Sequence, residues 1–141
     1  MAGRIVVGVD GSDGSTAALR WALDEARLRD AKLRVVHAWK YVSDKAGIAA
    51  AYPVGYEEIE RKAREVLTRS IEQAGPAAEP RVEAILAGGG AVTVLLETAK
   101  GADLLVVGSR GRGGFAGLLL GSVSQQCAQH APCPVVIVPQ G

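Results

Sequence analysis

Aromatic residues are scarce in this chain, 4% of 141 residues, so Val, Leu, Ile and Ala must fill the interior within a hydrophobic share of 48%. That composition suits parallel strands covered by helices. Net charge is nearly absent as well: sixteen Lys and Arg against fifteen Asp and Glu leave a formal +1. The balance argues against a broad basic surface for nucleic acid or anionic membrane, so any anion site must be local. Only two cysteines occur, Cys127 and Cys133. They match neither a four-ligand zinc spacing nor a disulfide framework, and reduced core thiols are expected. No apolar run approaches the roughly 20 residues needed to cross a bilayer, and no basic-then-apolar leader precedes the first apolar run. A cytoplasmic protein is expected, with residues 1–141 forming a single domain.

What is present is an alternation of short β-branched runs with amphipathic segments. Arg4 to Val9 reads as a first strand, ending in the turn-forming cluster Asp10-Gly11-Ser12-Asp13-Gly14. Ala18, Ala22 and Ala26 beside Leu19 and Leu23 give one apolar face to a helix over Ser15 to Arg29. A second strand over Lys32 to Ala38 and a helix over Tyr56 to Ala74 follow, with Gly75-Pro76 as the stop. Arg81 to Ala87 alternates polar and apolar residues, as an edge strand would. A helix over Ala91 to Lys100, a continuous apolar strand over Leu104 to Val107, and a last strand over Val135 to Val138 complete the order. Strand and helix in alternation with short links predict right-handed crossovers and a doubly wound parallel sheet. Trp39, Tyr41, Tyr52 and Tyr56 gather most of the aromatics around one long irregular segment, as a lid, a docking surface or a cluster packing that segment on itself.

Directly after the fourth strand comes Gly108-Ser109-Arg110-Gly111-Arg112-Gly113-Gly114, and further on Gly121-Ser122-Val123-Ser124 opens a helix. Glycines allow close approach of backbone to ligand, and loop amides can converge on oxygen anions. Ser122 with Gln125 three residues later offers a capping box, so that the positive end of the helix faces the same anion. From Leu104 to Gly141 there is no Asp or Glu, while Arg110 and Arg112 lie within the loop. These residues read equally as a phosphate cradle or as a solvated glycine turn. Two other loops are excluded by context. A P-loop requires a Lys that neither the Gly8 nor the Gly108 region supplies, and Gly111-x-Gly113-x-x-Ala116 follows the wrong strand and has no acidic residue about 20 positions on to hold a ribose. The S-G-G-x-D-S loop of ATP-cleaving ligases is missing after the first strand.

Spacing separates the two readings of the glycine loop. The pattern G-x2-G-x9-G-S on Gly108, Gly111, Gly121 and Ser122, with the opening IVVGVDGSDGS, the block ADLLVVGSRGRGG and the tail GSVSQQCAQHAPCPVVIVP, resembles the universal stress protein family in its ATP-binding subtype. The resemblance runs from about Ile5 to Pro139. It implies a five-stranded sheet of order 3-2-1-4-5 with helices on both faces, and a ligand crevice where the first and fourth strands part. It further implies ATP with its phosphates on Gly108 to Gly114 and Gly121 to Ser124, and the nucleoside near Gly8, Asp10, Val36 and Ala38. Mg²⁺ is expected on the phosphates, reached by Asp10 through water, with no ligand set of the protein's own. No catalytic residue is identified: His37 and His130 read as packed or helix-end residues. The expected role is a regulatory stress-response module with little or no hydrolysis; a slow ATPase or a site for another adenine ligand such as cyclic AMP are the alternatives. A homodimer through the Val135 to Val138 edge is expected, with no nucleic acid or membrane partner. The Gly88 to Gly90 run departs from the family's usual pattern and is expected to add mobility near the cleft.

Overall fold

The structure is a computed structural model that describes residues 3–40, 55–75, 79–110 and 120–140. Strand β1 (Arg4–Gly8) leads to helix α1 (Asp13–Arg29), β2 (Lys32–Trp39) to α2 (Tyr56–Ala74), and β3 (Val82–Gly88) to α3 (Ala91–Thr98). Strand β4 (Leu104–Gly108), helix α4 (Ser122–His130) and β5 (Val135–Val138) close the order. The five strands form one sheet in the order β3-β2-β1-β4-β5, and every adjacent pair is parallel. Both expected edges, β3 and β5, lie where the sequence places them. The polar and apolar alternation expected of β3 is weaker than the sequence suggests, because Ala84 is exposed alongside Glu83 on this outermost strand.

The period of two in each strand divides the core into two layers. On one face Ile5, Val7, Leu33, Val35, Leu104 and Val106 meet the alanine stripe of α1 and Leu67 of α2. On the other, Val6, Val36, Leu105 and Val107 meet Val94 and Leu95 of α3 and Cys127 of α4. Central strands β1 and β4 are buried on both faces, which explains their unbroken apolar runs. Each such side chain contributes on the order of 1.5–3 kcal/mol on burial.

Local signals fix the helix ends. Ser12 caps α1, its side chain accepting from the Ser15 N–H, and Asp30 ends the helix in the left-handed region at φ 53°. At the opposite end of the sheet from the glycine loop, Arg81 donates to the Ala26 and Ala31 carbonyls while Arg27 pairs with Glu79. The Arg27 hydrogen bond holds the Glu79 carboxyl below the usual carboxylate range. Among the described residues, no helix is long and apolar enough to cross a membrane.

Ser70 of α2 is 1% exposed and its hydroxyl has no hydrogen-bond partner among the described residues. A buried hydroxyl left unpaired loses its hydration without recompense, and Ala is the better helix former. Ser70→Ala is therefore expected to raise unfolding stability by about 1 kcal/mol, read as an increased urea midpoint at unchanged slope. A lowered midpoint would mean that the hydroxyl is bonded.

Candidate functional site

Strands β1 and β4 are neighbours whose following segments leave toward opposite faces of the sheet, and a crevice opens beyond their C-terminal ends. A cavity of about 150 Å³ lies there. Gly8, Val9 and Asp10 form its β1 side, and Val36 and Ala38 its β2 side. Val107, Gly108 and Arg110 come from β4 and its exit, and Gly121, Ser122, Val123 and Ser124 from the start of α4. Two larger hollows, of about 390 and 370 Å³, lie at the opposite sheet end around Arg4 and Asp103 and along the charged face of α2. They are bordered chiefly by surface charges, whereas the crevice has predominantly apolar walls and is met by a helix N-terminus, so it is the better ligand site.

Ten of the expected site residues thus share one cavity. Ser109 does not line it. Its N–H extends the β4–β5 ladder to the Val138 carbonyl, and its own carbonyl accepts from the Gly121 N–H at 2.6 Å and from the Ser124 hydroxyl at 2.9 Å. The carbonyl therefore joins the two ends of the glycine loop. Gly111, Arg112, Gly113 and Gly114 lie outside the described residues, as do Tyr41 and Tyr52. The aromatic rings of Trp39 and Tyr56, at the two ends of the long segment, meet edge to face with centroids 4.9 Å apart.

One expectation needs correction. The capping box is not formed: Gly121, extended at φ −75° and ψ 167°, is the cap, and Ser122 is the first helical residue. With its amide taken by Ser109, Gly121 offers its carbonyl to the Gln125 N–H, and the helix starts one residue earlier than the Ser-x-x-Gln pattern suggests. The amides of Ser122, Val123 and Ser124 are consequently the first-turn donors without intrahelical acceptors. Gly8 lines the crevice and lies against Leu95: a Cβ there would be 2.8 Å from Cδ2 of that side chain.

The sequence reading missed Ser15, Val9, Val107, Ala91 and Leu95 as lining residues. Ala91 and Leu95 are one helical turn apart on α3, a four-residue step on a helix not assigned to the site. The Gly88 to Gly90 run makes the turn into that helix: Gly89 sits at φ 135° and donates its N–H to the Trp39 carbonyl at 2.8 Å. Ser15 enters through a closed set of bonds: its hydroxyl accepts the Asp10 N–H and donates to the Ser12 carbonyl. Asp10 in turn accepts from both the N–H and the hydroxyl of Ser12 on Oδ1, the turn role weighed for it in the sequence.

Among the described residues charge in the crevice is sparse, with Asp10 and Arg110 the ionisable side chains lining it. Among the described residues no group of three His, Cys, Asp or Glu is placed to hold a metal ion. Burial pushes the Cys127 thiol up, and burial followed by Asp103 does the same for Cys133.

The sequence profile of the Universal stress protein family matches residues 1–139. The chain belongs to that family. It is 39% identical to a universal stress protein of Mycolicibacterium smegmatis, covering 95% of this chain and 45% of that protein. A Thermus aquaticus universal stress protein is 37% identical, covering 95% and 96%. The chain spans about half the length of the mycobacterial relatives it matches. Among solved structures it is similar to a universal stress protein in complex with cAMP, at 31% identity and TM-score 0.71 over 99% of this chain and 98% of that one. It is similar also to the Archaeoglobus fulgidus universal stress protein in complex with dAMP, at 25% identity and TM-score 0.71 over 96% of each chain.

Glycine contacts set the fit between loop root and α1. A Cβ on Gly108 would lie 2.9 Å from the Gly14 carbonyl oxygen, and one on Gly14 2.7 Å from that of Arg110. Backbone cannot yield as a side-chain tip does, so Gly108→Ala is expected to cost about 1–3 kcal/mol in denaturant unfolding. An unchanged midpoint would refute the close approach. Thiol titration supplies a second check: Cys127 is buried and Cys133 half-buried, so a disulfide reagent at pH 8 is expected to modify Cys133 first.

Proposed function

We propose that this chain is an ATP-binding regulatory module that holds Mg·ATP in the β1–β4 crevice and hydrolyses it little or not at all. The observation that carries the reading is the convergence of the Ser122, Val123 and Ser124 amides, at the positive end of α4, on a cavity where, among the described residues, Arg110 is the cationic lining residue. Phosphates would lie against these amides and the glycine loop, Gly108 to Gly114. The nucleoside would lie toward Val36 and Ala38, where an apolar wall suits a base, with Asp10 on the ribose side. The donor set fits Mg²⁺ carried by phosphate oxygens and water, since the described residues offer no carboxylate cage.

The reading of low hydrolysis is supported by how two candidate bases are engaged. Oδ1 of Asp10 takes two Ser12 donors, and Nδ1 of His37 lies 2.8 Å from the Val9 carbonyl oxygen. Neither is placed as a group aimed at an attacking water. A second reading, cyclic AMP in the same crevice, is favoured by the 31% identical relative whose structure is described as a cAMP complex. Among the described residues strand β5 pairs with β4 alone, and its four apolar residues are all partly exposed, which supports a homodimer through that edge. Two free thiols fit a cytoplasmic setting.

The test removes one amide without disturbing the helix. Ser122 is the first helical residue and Gly121 before it is extended, so proline is tolerated at that position. Calorimetric titration of Mg·ATP is expected to show about tenfold weaker binding for Ser122→Pro than for Ser122→Ala, which keeps the N–H. Equal affinities would remove the amide cradle. Competition between ATP and cyclic AMP decides the ligand, and tighter cyclic AMP binding would replace ATP in this account.

A further inference from the structure

The parallel ladder between β1 and β2 ends in a split. Val36 faces β1 with its main-chain groups, its carbonyl accepting the Val9 N–H at 2.9 Å. Two residues on, by the alternation of a strand, Ala38 directs its N–H to the same side, and the next rung would be Ala38 N–H to the Val9 carbonyl. Among the described residues that rung is missing. The Val9 carbonyl oxygen is met instead by Nδ1 of His37, at 2.8 Å. A carbonyl can only accept, so Nδ1 carries the hydrogen.

Resting on the adenine-nucleotide reading above, we propose that His37 is a positioning residue for base recognition: by occupying the Val9 carbonyl it frees the Ala38 N–H as a main-chain donor on the cavity wall. Val9, Val36 and Ala38 all line the crevice, whereas His37 does not. The imidazole belongs to the opposite parity of β2, with Leu33 and Val35, and so acts from the α1 and α2 side of the sheet. An N–H donor set beside the apolar Val36 suits a flat ring that presents an acceptor nitrogen, as adenine does on its unprotonated ring edge. Guanine carries a hydrogen on N1, so at that ring position it would set a donor against the donor. The Asp10 N–H on the far side of the same peptide is held by the Ser15 hydroxyl at 3.2 Å, so the Val9–Asp10 peptide plane is fixed by side chains at both ends. A donor held at the half-buried Ala38 on the cavity wall, with no strand partner among the described residues, rewards the ligand that satisfies it.

Amide hydrogen exchange and Mg·ATP titration on wild type, His37→Phe and His37→Asn test this. In ligand-free wild type the Ala38 amide is expected to exchange at least about tenfold faster than that of Val36, and to slow when Mg·ATP binds. His37→Phe returns the Val9 carbonyl to Ala38: exchange of Ala38 slows without ligand and Mg·ATP binding weakens about tenfold. His37→Asn keeps an N–H donor near the Nδ1 position and is expected to behave as wild type in both measurements. A merely structural histidine would show no selective change at Ala38 and no rescue by Asn. An Ala38 amide as protected as Val36 in ligand-free wild type, or unchanged affinity in a folded His37→Phe protein, overturns the proposal. If wild type binds no adenine nucleotide, the functional reading falls, and exchange at Ala38 still decides the role of His37. Circular dichroism monitors folding. Should His37→Phe not fold, the wild-type exchange rates and the His37→Asn titration decide.

Discussion

The structure depends on the side-by-side pairing of β1 and β4 as parallel strands whose continuations diverge. Parallel pairing buries both strands on two faces, so neither can bring polar side chains into the sheet, and chemistry is confined to the residues just beyond their ends. Asp10 and Gly108 are almost a hundred positions apart in the chain, yet they are placed on one crevice by the register that sets Ile5 against Leu104 and Val7 against Val106. The near contact of Gly108 with Gly14, and of Gly14 with the Arg110 carbonyl, brings the root of the glycine loop against the first turn of α1. A side chain at either position would hold the two apart.

Within that frame the site is made mostly of main chain. Gly121 gives its N–H to Ser109, which closes the loop at its base and leaves the next three amides of α4 facing outward. The Ser124 hydroxyl, buried at 2% exposure, reinforces the same closure by reaching the Ser109 and Gly121 carbonyls. Main-chain recognition asks little of side-chain identity, so on the proposed reading a crevice bordered by Gly, Ala, Val and Ser suffices for a charged ligand. It also explains the sparse charge: Arg110 adds attraction, and the carboxyl-poor stretch after Leu104 adds no repulsion.

Much of the fold was legible in the sequence because the periodicities were clean. The Ala18, Ala22 and Ala26 stripe, the run Leu104 to Val107 and the stop at Gly75 each have one physical reading, and the structure agrees to within a residue or two. The turn at Asp10 was legible through its chemistry, and the described ends of the glycine loop, Gly108 and Gly121, line one cavity with it. Ser122 was misread because a capping box is a local pattern, whereas the helix start was decided by a carbonyl on another element, that of Ser109. The packing of Gly8 was not legible, since its neighbour Leu95 is 87 positions away and nothing in a strand glycine names the side chain above it. The contact between His37 and the Val9 carbonyl was invisible, since it depends on where the β1–β2 ladder stops.

The central claim is that the β1–β4 crevice is an adenine-nucleotide site organised by peptide amides. A crystal structure of the protein grown with Mg·ATP tests it most directly. The account predicts phosphate oxygens within hydrogen-bond distance of the Ser122, Val123 and Ser124 amides, with the base against Val36 and Ala38. A crevice holding only solvent at saturating nucleotide, or a nucleotide bound elsewhere on the protein, would contradict it.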